Sequence, residues 1–268
     1  MSQKKQRLDV RLAEEGHYPS REKARVAVMA GLIFVDGERS DKPGTMVKPE
    51  SNIEIRGNSL IYVSRGGLKL EKAIKSFGLD LNNRVVLDVG ASTGGFTDCA
   101  LRHGARLVYA VDVGYGQLAW QLRNDNRVVV LERTNIRYLT KEALPEIPDF
   151  ATIDVAFISL SKVLPRVGEL LAEEAEGVAL VKPQFEAGRE KVGKKGVVRD
   201  PAVHVQVLDN VTALIAEMGW LVGGLDYSPV TGPEGNIEFL IYFKKTGRQC
   251  DYSTNDLVAK AHADFGYL

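Results

Sequence analysis

Four charged residues stand apart in this 268-residue chain because of where the sequence sets them. Asp154 ends the apolar run Ala151-Thr152-Ile153, and Lys182 ends Val178-Ala179-Leu180-Val181, with Pro183 next. Glu238 lies within the strand-like run Asn236-Ile237-Glu238-Phe239-Leu240, and Lys69 comes just before the sheet-forming region. A charge at the end of a buried strand is costly unless it is paired. In an open parallel sheet the carboxyl ends of the strands face the ligand crevice, so Asp154 and Lys182 should converge there. A second feature lies upstream. Val85-Val86-Leu87-Asp88-Val89 reads as a buried strand, and Gly90-Ala91-Ser92-Thr93-Gly94-Gly95-Phe96 as a glycine-rich loop entering a helix. The backbone of such a loop can approach a cofactor closely at a helix N-terminus. The glycine spacing is not the G-x-G-x-x-G of dinucleotide folds. Asp112 ends the next apolar run, where an acid can bond ribose hydroxyls. Asn135-Ile136 follow the third run.

These residues need a scaffold, and the chain supplies one. Candidate strands Val85–Val89, Leu107–Asp112, Val128–Glu132, Phe150–Asp154, Gly177–Val181, Trp220–Tyr227 and Ile237–Phe243 alternate with helices such as Lys69–Phe77, Thr97–His103 and Asp200–Met218. That alternation predicts an α/β fold: a seven-stranded, mostly parallel sheet with right-handed crossovers, closed by the late strand pair. Residues 246–268 form a polar tail with one weak helix, Asn255–His262, whose docking the sequence leaves open.

The first 58 residues differ. Leu8, Val10, Leu12 and Ala13 mark a short helix ended by Gly16, Ser20 is an N-cap for a helix Arg21–Ala30, and Gly31 stops it. Leu32–Val35 reads as a strand, Asp36-Gly37 as a hairpin turn, and Asn52–Arg56 as a further strand. The result is a small α+β domain over 1–58, a linker over 59–66, a main domain over 67–245 and the tail.

Arg7-Leu8-Asp9, Ser20-Arg21-Glu22-Lys23-Ala24-Arg25 and Gly31-Leu32-Ile33-Phe34-Val35-Asp36-Gly37 resemble the alpha-L RNA-binding domain, a module named after a small-subunit ribosomal protein. The resemblance implies that Arg7, Arg11, Ser20, Arg21, Lys23 and Arg25 meet RNA phosphates, which fix position more than they read sequence. The loop from Asp88 to Phe96 resembles the S-adenosylmethionine loop of class I methyltransferases, with the acid facing the ligand's amino-acid end. By that resemblance Asp88, Gly90, Ser92, Thr93, Gly94, Gly95, Phe96, Asp112, Asn135 and Ile136 bind the cofactor. The order Lys69, Asp154, Lys182, Glu238 resembles the tetrad of FtsJ-type ribose 2′-O-methyltransferases.

Together with Val63-Ser64-Arg65-Gly66-Gly67-Leu68-Lys69-Leu70, Lys182-Pro183-Gln184-Phe185-Glu186 and Gly193 to Pro201, these features resemble the hemolysin A (TlyA) family up to about Lys245. Leu60-Ile61-Tyr62-Val63 departs from an Arg-x-Trp-Val form found in part of that family. The resemblance implies 2′-O-methylation of cytidine in ribosomal RNA, with ribosomal subunits as partners and S-adenosylmethionine as cofactor. Lys182 is then the base. A lysine serves only where its surroundings favour the neutral amine; burial and Lys69 act that way, and Asp154 opposes it while fixing the group's direction. Glu238 would hold Lys69 or the ribose. Arg65, Arg189, Lys194 and Lys195 are assigned to RNA, the last three in a mobile basic loop over the active site.

Composition narrows the alternatives. Lys and Arg together number 35, as do Asp and Glu, so bulk charge favours no partner. Cys99 and Cys250 are read as having no Cys or His at zinc-ligand spacing, which argues against a metal site and a disulfide scaffold. No apolar stretch is long enough to span a bilayer and no signal peptide is visible, so a cytoplasmic protein without membrane contact is expected. His17, His103, His204 and His262 receive no role. A non-catalytic RNA-binding protein, a membrane-active hemolysin and a pseudouridine synthase are the competing readings; the four-residue constellation, the lack of a spanning or strongly basic amphipathic helix, and the parallel-sheet pattern argue against each in turn.

Overall fold

The computed structural model describes residues 5–18, 20–29, 31–55 and 61–266, without the Lys194 side chain. Its contacts divide the chain into two units, Met1–Arg65 and Gly66–Leu268. Ala30, Arg56 and Leu60, named above in predicted segments, lie outside the described residues.

In the first unit β1 (Gln6–Arg7) leads into α1 (Leu8–Glu14), followed by α2 (Arg21–Met29), β2 (Ile33–Val35), β3 (Glu38–Ser40), β4 (Met46–Val47) and β5 (Ile53–Ile55). Leu8 and Leu12 of α1 meet Ala24, Ala27 and Val28 of α2, and both helices cover Ile33 and Val47. β2 pairs antiparallel with β3 and β5, and β1 with β4. Asp36 and Gly37 both take positive φ, 51° and 84°, as a two-residue type I′ hairpin requires. Ser20 Oγ accepts from Lys23 N at 3.2 Å and caps α2. Strands β1 and β4 go beyond the sequence expectation, because two residues cannot show an alternation.

The second unit runs α3 (Gly66–Phe77), β6 (Val85–Val89), α4 (Gly95–Arg102), β7 (Leu107–Val111), α5 (Trp120–Arg123), β8 (Val128–Leu131), β9 (Phe150–Ile153), α6 (Leu164–Leu170), β10 (Glu176–Val181), α7 (Pro183–Glu186), α8 (Pro201–Glu217), β11 (Leu221–Tyr227), β12 (Phe239–Lys244) and α9 (Thr254–Asp264). The sheet order is β11-β12-β10-β9-β6-β7-β8. Neighbours from β10 to β8 are parallel, and β12 runs antiparallel to both β10 and β11. β6 is buried at all five positions, as a central parallel strand covered on both faces must be. The predicted seven-stranded, mostly parallel sheet with a closing pair is thus present.

Three details differ from the sequence reading. α3 begins at Gly66, ahead of Lys69. β12 begins at Phe239, so Glu238 precedes the strand instead of lying inside it. Asn236 and Ile237 are buried, which makes them look strand-like, but Asn236 bonds a loop: its Oδ1 accepts from Val198 N at 2.9 Å and its Nδ2 donates to Gly196 O at 2.9 Å. Third, His103 is one helical turn beyond Cys99, and its Nδ1 comes within 3.6 Å of Cys99 Sγ, a neighbour the sequence reading did not count. Among the described residues no group of three His, Cys, Asp or Glu could hold a metal ion, and no helix is long and apolar enough to cross a membrane.

The tail docks. Ser253 Oγ accepts from Asp256 N at 3.2 Å and caps α9, which buries Val258, Ala261 and His262 against α8 and β11.

Candidate active site

β6, β9 and β10 end side by side, and their carboxyl ends carry the charged residues. Asp154 follows β9, and its N donates to Val89 O of β6 at 2.9 Å. Lys182 follows β10; Pro183 at the first position of α7 cannot extend the strand ladder, so the chain turns there. Lys182 Nζ stands 2.5 Å from Asp154 Oδ1. Lys69, on the inner side of α3 beside Leu70 and Ala73, places Nζ 3.5 Å from Asp154 Oδ2 and donates to Glu238 Oε2 at 2.7 Å. Glu238 is 2% exposed. Its backbone O accepts from Ser228 N at 2.8 Å, joining the segments beyond β11 and before β12. All four residues therefore meet in one partly buried cluster.

The charges compensate one another: two ammonium groups, two carboxylates. Burial opposes ionisation of Asp154, but the Lys69 and Lys182 ammoniums outweigh it and hold the carboxyl below its ordinary value.

The glycine loop adjoins this cluster through its backbone. Gly90 has φ 85°, and a β-carbon there would come within 2.4 Å of Asp154 O, so only glycine lets the loop lie against the end of β9. Gly94, φ 95°, is likewise hemmed in by Leu122 at 2.3 Å. Gly95 is buried at the start of α4, Ser92 is exposed and Thr93 partly so. Asp112 Oδ2 accepts from Ser92 N at 2.8 Å and its Oδ1 from Gly114 N at 2.7 Å, tying the loop to the end of β7.

Three residues of the predicted cofactor set point inward instead. Asp88 is fully buried, accepting from Thr97 Oγ1 at 2.6 Å and Thr152 Oγ1 at 2.9 Å. Burial pushes its carboxyl up to about 6 against those two hydroxyls. It fastens β6 to α4 and β9 beneath the loop. Phe96 packs in the interior, and Ile136 joins the main core. Asn135 Oδ1 accepts from Arg137 N at 3.1 Å and starts a 3-10 turn over Ile136–Tyr138.

The basic residues fall into groups. Arg7, Arg21 and Arg25 line one shallow depression of the first unit with Asp9 and Glu22. Ser20 and Lys23 are exposed nearby in sequence. Arg11 is engaged elsewhere: its Nη1 donates to Lys48 O at 2.6 Å and its Nε to Glu15 Oε1 at 2.7 Å. Arg65 is partly buried in the turn before α3. In the second unit Arg189 opens an exposed 3-10 turn over Arg189–Lys191, and exposed Lys195 takes φ 73° in the turn that follows. The side chain of Lys194 lies outside the description. The predicted mobile loop is pinned at Gly196 and Val198 by Asn236, two residues from Glu238.

Sequence reasoning passed over Phe157 and gave Glu186 no role of its own. Phe157 is 90% exposed with φ 63°, and its ring packs at 5.1 Å on Phe185, three residues after Lys182. Glu186 accepts from Ser159 Oγ at 2.6 Å and Leu160 N at 2.8 Å, bracing the segment that carries Phe157. No periodicity marks either one; the signal available was their place within the runs that follow Asp154 and Lys182.

The sheet order, the glycine loop after its central strand and the charged cluster at the strand ends define a class I methyltransferase. The FtsJ-like methyltransferase family pattern matches residues 62–245 and the S4 domain pattern residues 6–53. A Bacillus subtilis protein named as a candidate rRNA methyltransferase, YqxC, is 54% identical over 248 residues, covering 92% of this chain and 88% of its own. The 16S/23S rRNA (cytidine-2′-O)-methyltransferase TlyA of Mycobacterium tuberculosis is 44% identical, covering 89% of each chain. A solved candidate hemolysin from Streptococcus thermophilus superposes with TM-score 0.79 at 48% identity, over 98% of both chains. The chain belongs to the hemolysin A (TlyA) family of FtsJ-like methyltransferases with an N-terminal S4 domain.

Proposed function

We propose that this protein transfers a methyl group from S-adenosylmethionine to the 2′-hydroxyl of a cytidine in ribosomal RNA, with Lys182 as the base. The observation that carries this reading is the convergence of Lys69, Asp154, Lys182 and Glu238 against the backbone of the glycine loop. The S4 domain and the names of the relatives support RNA as the target.

The loop suits such a cofactor: Gly90 lets its backbone lie directly against the end of β9 beside Asp154, and Asp112 ties Ser92 to the end of β7. Gly90, Ser92, Thr93 and Gly94 would hold the amino-acid end by backbone contacts, Asp112 the ribose hydroxyls and Asn135 the adenine edge. When bound, S-adenosylmethionine supplies an electrophilic methyl group on a sulfonium. This chain's residues do the rest. Lys182, an ammonium while paired with Asp154, would first release its own proton to solvent; its free amine Nζ would then take the proton of the ribose hydroxyl as that oxygen accepts the methyl group, whose bond to sulfur breaks. Asp154 fixes the direction of Lys182, and Glu238 fixes Lys69, whose ammonium keeps Asp154 ionised. The exposed Phe157 ring, carried just beyond Asp154, offers a face for the base attached to that ribose.

The test is tritium transfer from labelled S-adenosylmethionine to separated ribosomal subunits lacking the modification. Wild type should label the RNA of a subunit, and Lys182→Ala should lose more than about a hundredfold in rate while binding the cofactor as before. Retained transfer by Lys182→Ala excludes it as the base, and absence of label with either subunit excludes the substrate.

A further inference from the structure

Asp9 lies in the first turn of α1 and is 1% exposed. Four donors converge on it. Arg7 gives Nε to Oδ1 at 3.0 Å and Nη2 to Oδ2 at 2.9 Å, Arg21 gives Nε to Oδ2 at 3.0 Å, and Val10 N donates to Oδ1 at 3.0 Å. The two arginines come from different elements, β1 and the start of α2, and meet through this carboxylate. Their own side chains remain 46% and 59% exposed. Gly44 adds to the arrangement, since a β-carbon there would press on Arg7 Nη1 at 3.2 Å. Arg25 lines the same shallow depression.

Two guanidinium groups held side by side repel unless a negative charge lies between them. A surface acid would supply that charge but would also repel an incoming anion. Asp9 supplies it from beneath, with both oxygens already engaged. The Arg7 and Arg21 bonds outweigh burial and hold Asp9 down at about 2, so it stays ionised across the neutral range. Planar guanidinium forks match the oxygens of a phosphodiester, whereas ammonium groups do not.

We propose that Asp9 is a positioning residue that aligns Arg7 and Arg21 as a two-pronged clamp for a single backbone phosphate of RNA, with Arg25 at its rim. This rests on the reading above that the chain acts on RNA. The clamp fixes register and reads no sequence. It also divides the basic residues of the first unit, because Arg11, bonded to Lys48 O and Glu15, takes no part.

The test is binding of a labelled RNA hairpin by the full chain over a range of potassium chloride concentrations, without S-adenosylmethionine. Arg7→Gln and Arg21→Gln should each lower the slope of log affinity against log salt by about 1, and Arg11→Gln should leave it unchanged. Asp9→Asn decides the matter. It removes a negative charge, so simple attraction demands tighter binding; the clamp demands roughly tenfold weaker binding, the loss of one charge-assisted hydrogen bond. Thermal melting checks the fold of each variant. Where Asp9→Asn fails to fold, Arg7→Lys carries the test, because it keeps the charge and loses the fork, and it should weaken binding as much as Arg7→Gln. Binding by Asp9→Asn as tight as wild type, or by Arg7→Lys as tight as wild type, overturns the clamp alone. A wild-type chain that does not bind the hairpin overturns the clamp together with the RNA reading.

Discussion

Phe157 holds a left-handed backbone that costs a residue with a β-carbon about 1–2 kcal/mol, and its exposed ring recovers little of that by burial. Such a conformation persists only where the surroundings impose it. Here Phe185 packs on the ring and Glu186 braces Ser159 and Leu160 just downstream. Burial pushes the Glu186 carboxyl up despite those two bonds. The strained position lies a few residues beyond Asp154, and on the function proposed above its exposed ring is offered to the substrate base. Base–aromatic stacking contributes about 1–3 kcal/mol. Phe157→Ala should therefore lower kcat/KM about tenfold to a hundredfold while cofactor affinity stays within a factor of two. Phe157→Gly should lose as much activity and also gain stability, by about 1 kcal/mol, because glycine relieves the φ strain. Unchanged kcat/KM in both variants, measured on ribosomal subunits, removes the ring from the reaction.

At the scale of elements, the pairing of α8 with α9 makes a different prediction. His204 of α8 and His262 of α9 are both buried, with Nδ1 and Nε2 2.8 Å apart, and the His204 ring also meets the edge of Phe239 at 5.4 Å. One ring donates and the other accepts, and burial favours the uncharged form of both rings in the folded chain. Burial, with His262 adding to it, lowers His204 to about 4 against the pull of Val198 and Asp200. The unfolded chain takes up a proton near the ordinary histidine value of 6.5 that the folded chain excludes. Stability contributed by the neutral pair is therefore complete above that value and falls as pH drops toward about 4, by on the order of 3 kcal/mol. Chemical denaturation of wild type between pH 7 and about 5 should show the fall, and His204→Asn should flatten it. Equal slopes would mean that the pair contributes nothing to acid sensitivity. Neither histidine was given a role from the sequence, since 58 residues separate them and nothing local records the contact. The glycine loop and the strand ends at Asp154 and Lys182 were legible for the opposite reason: an apolar run that switches abruptly to a charge marks its own end. Asn236 and Ile237 show the limit of that signal. Burial alone made them resemble a strand, while the Asn236 side chain is spent on the basic loop, and Glu238 was placed one element too far in. Asp88 shows another limit, because a sequence cannot reveal that Thr97 and Thr152 reach an acid from two other elements.

For the whole molecule, 35 basic and 35 acidic residues cancel, so attraction to RNA cannot come from net charge. It has to come from local groups, and on the reading proposed above these are Arg7, Arg21 and Arg25 in the first unit and Arg189 and Lys195 in the second. Each unit has its own core, one around Leu8, Leu12, Val28 and Ile33, the other through the seven-stranded sheet. The cofactor loop and the charged tetrad belong wholly to the second. Two weak RNA contacts on one chain reinforce each other, since the first converts the second into an intramolecular event, a gain of about 10²–10⁴ in affinity. Separating the units should thus separate the properties. A chain starting at Gly66 should melt cooperatively and bind S-adenosylmethionine within about twofold of the full protein, because every residue assigned to that pocket is retained. Its methyl transfer to ribosomal subunits should fall about a hundredfold or more in kcat/KM, chiefly through KM. Adding Met1–Arg65 as a separate polypeptide should restore little of it, since the gain resides in the covalent link. Recovery in trans, seen by tritium incorporation at equal concentrations of both pieces, would show instead that the first unit acts by completing the catalytic site. A fall in kcat at unchanged KM would point the same way.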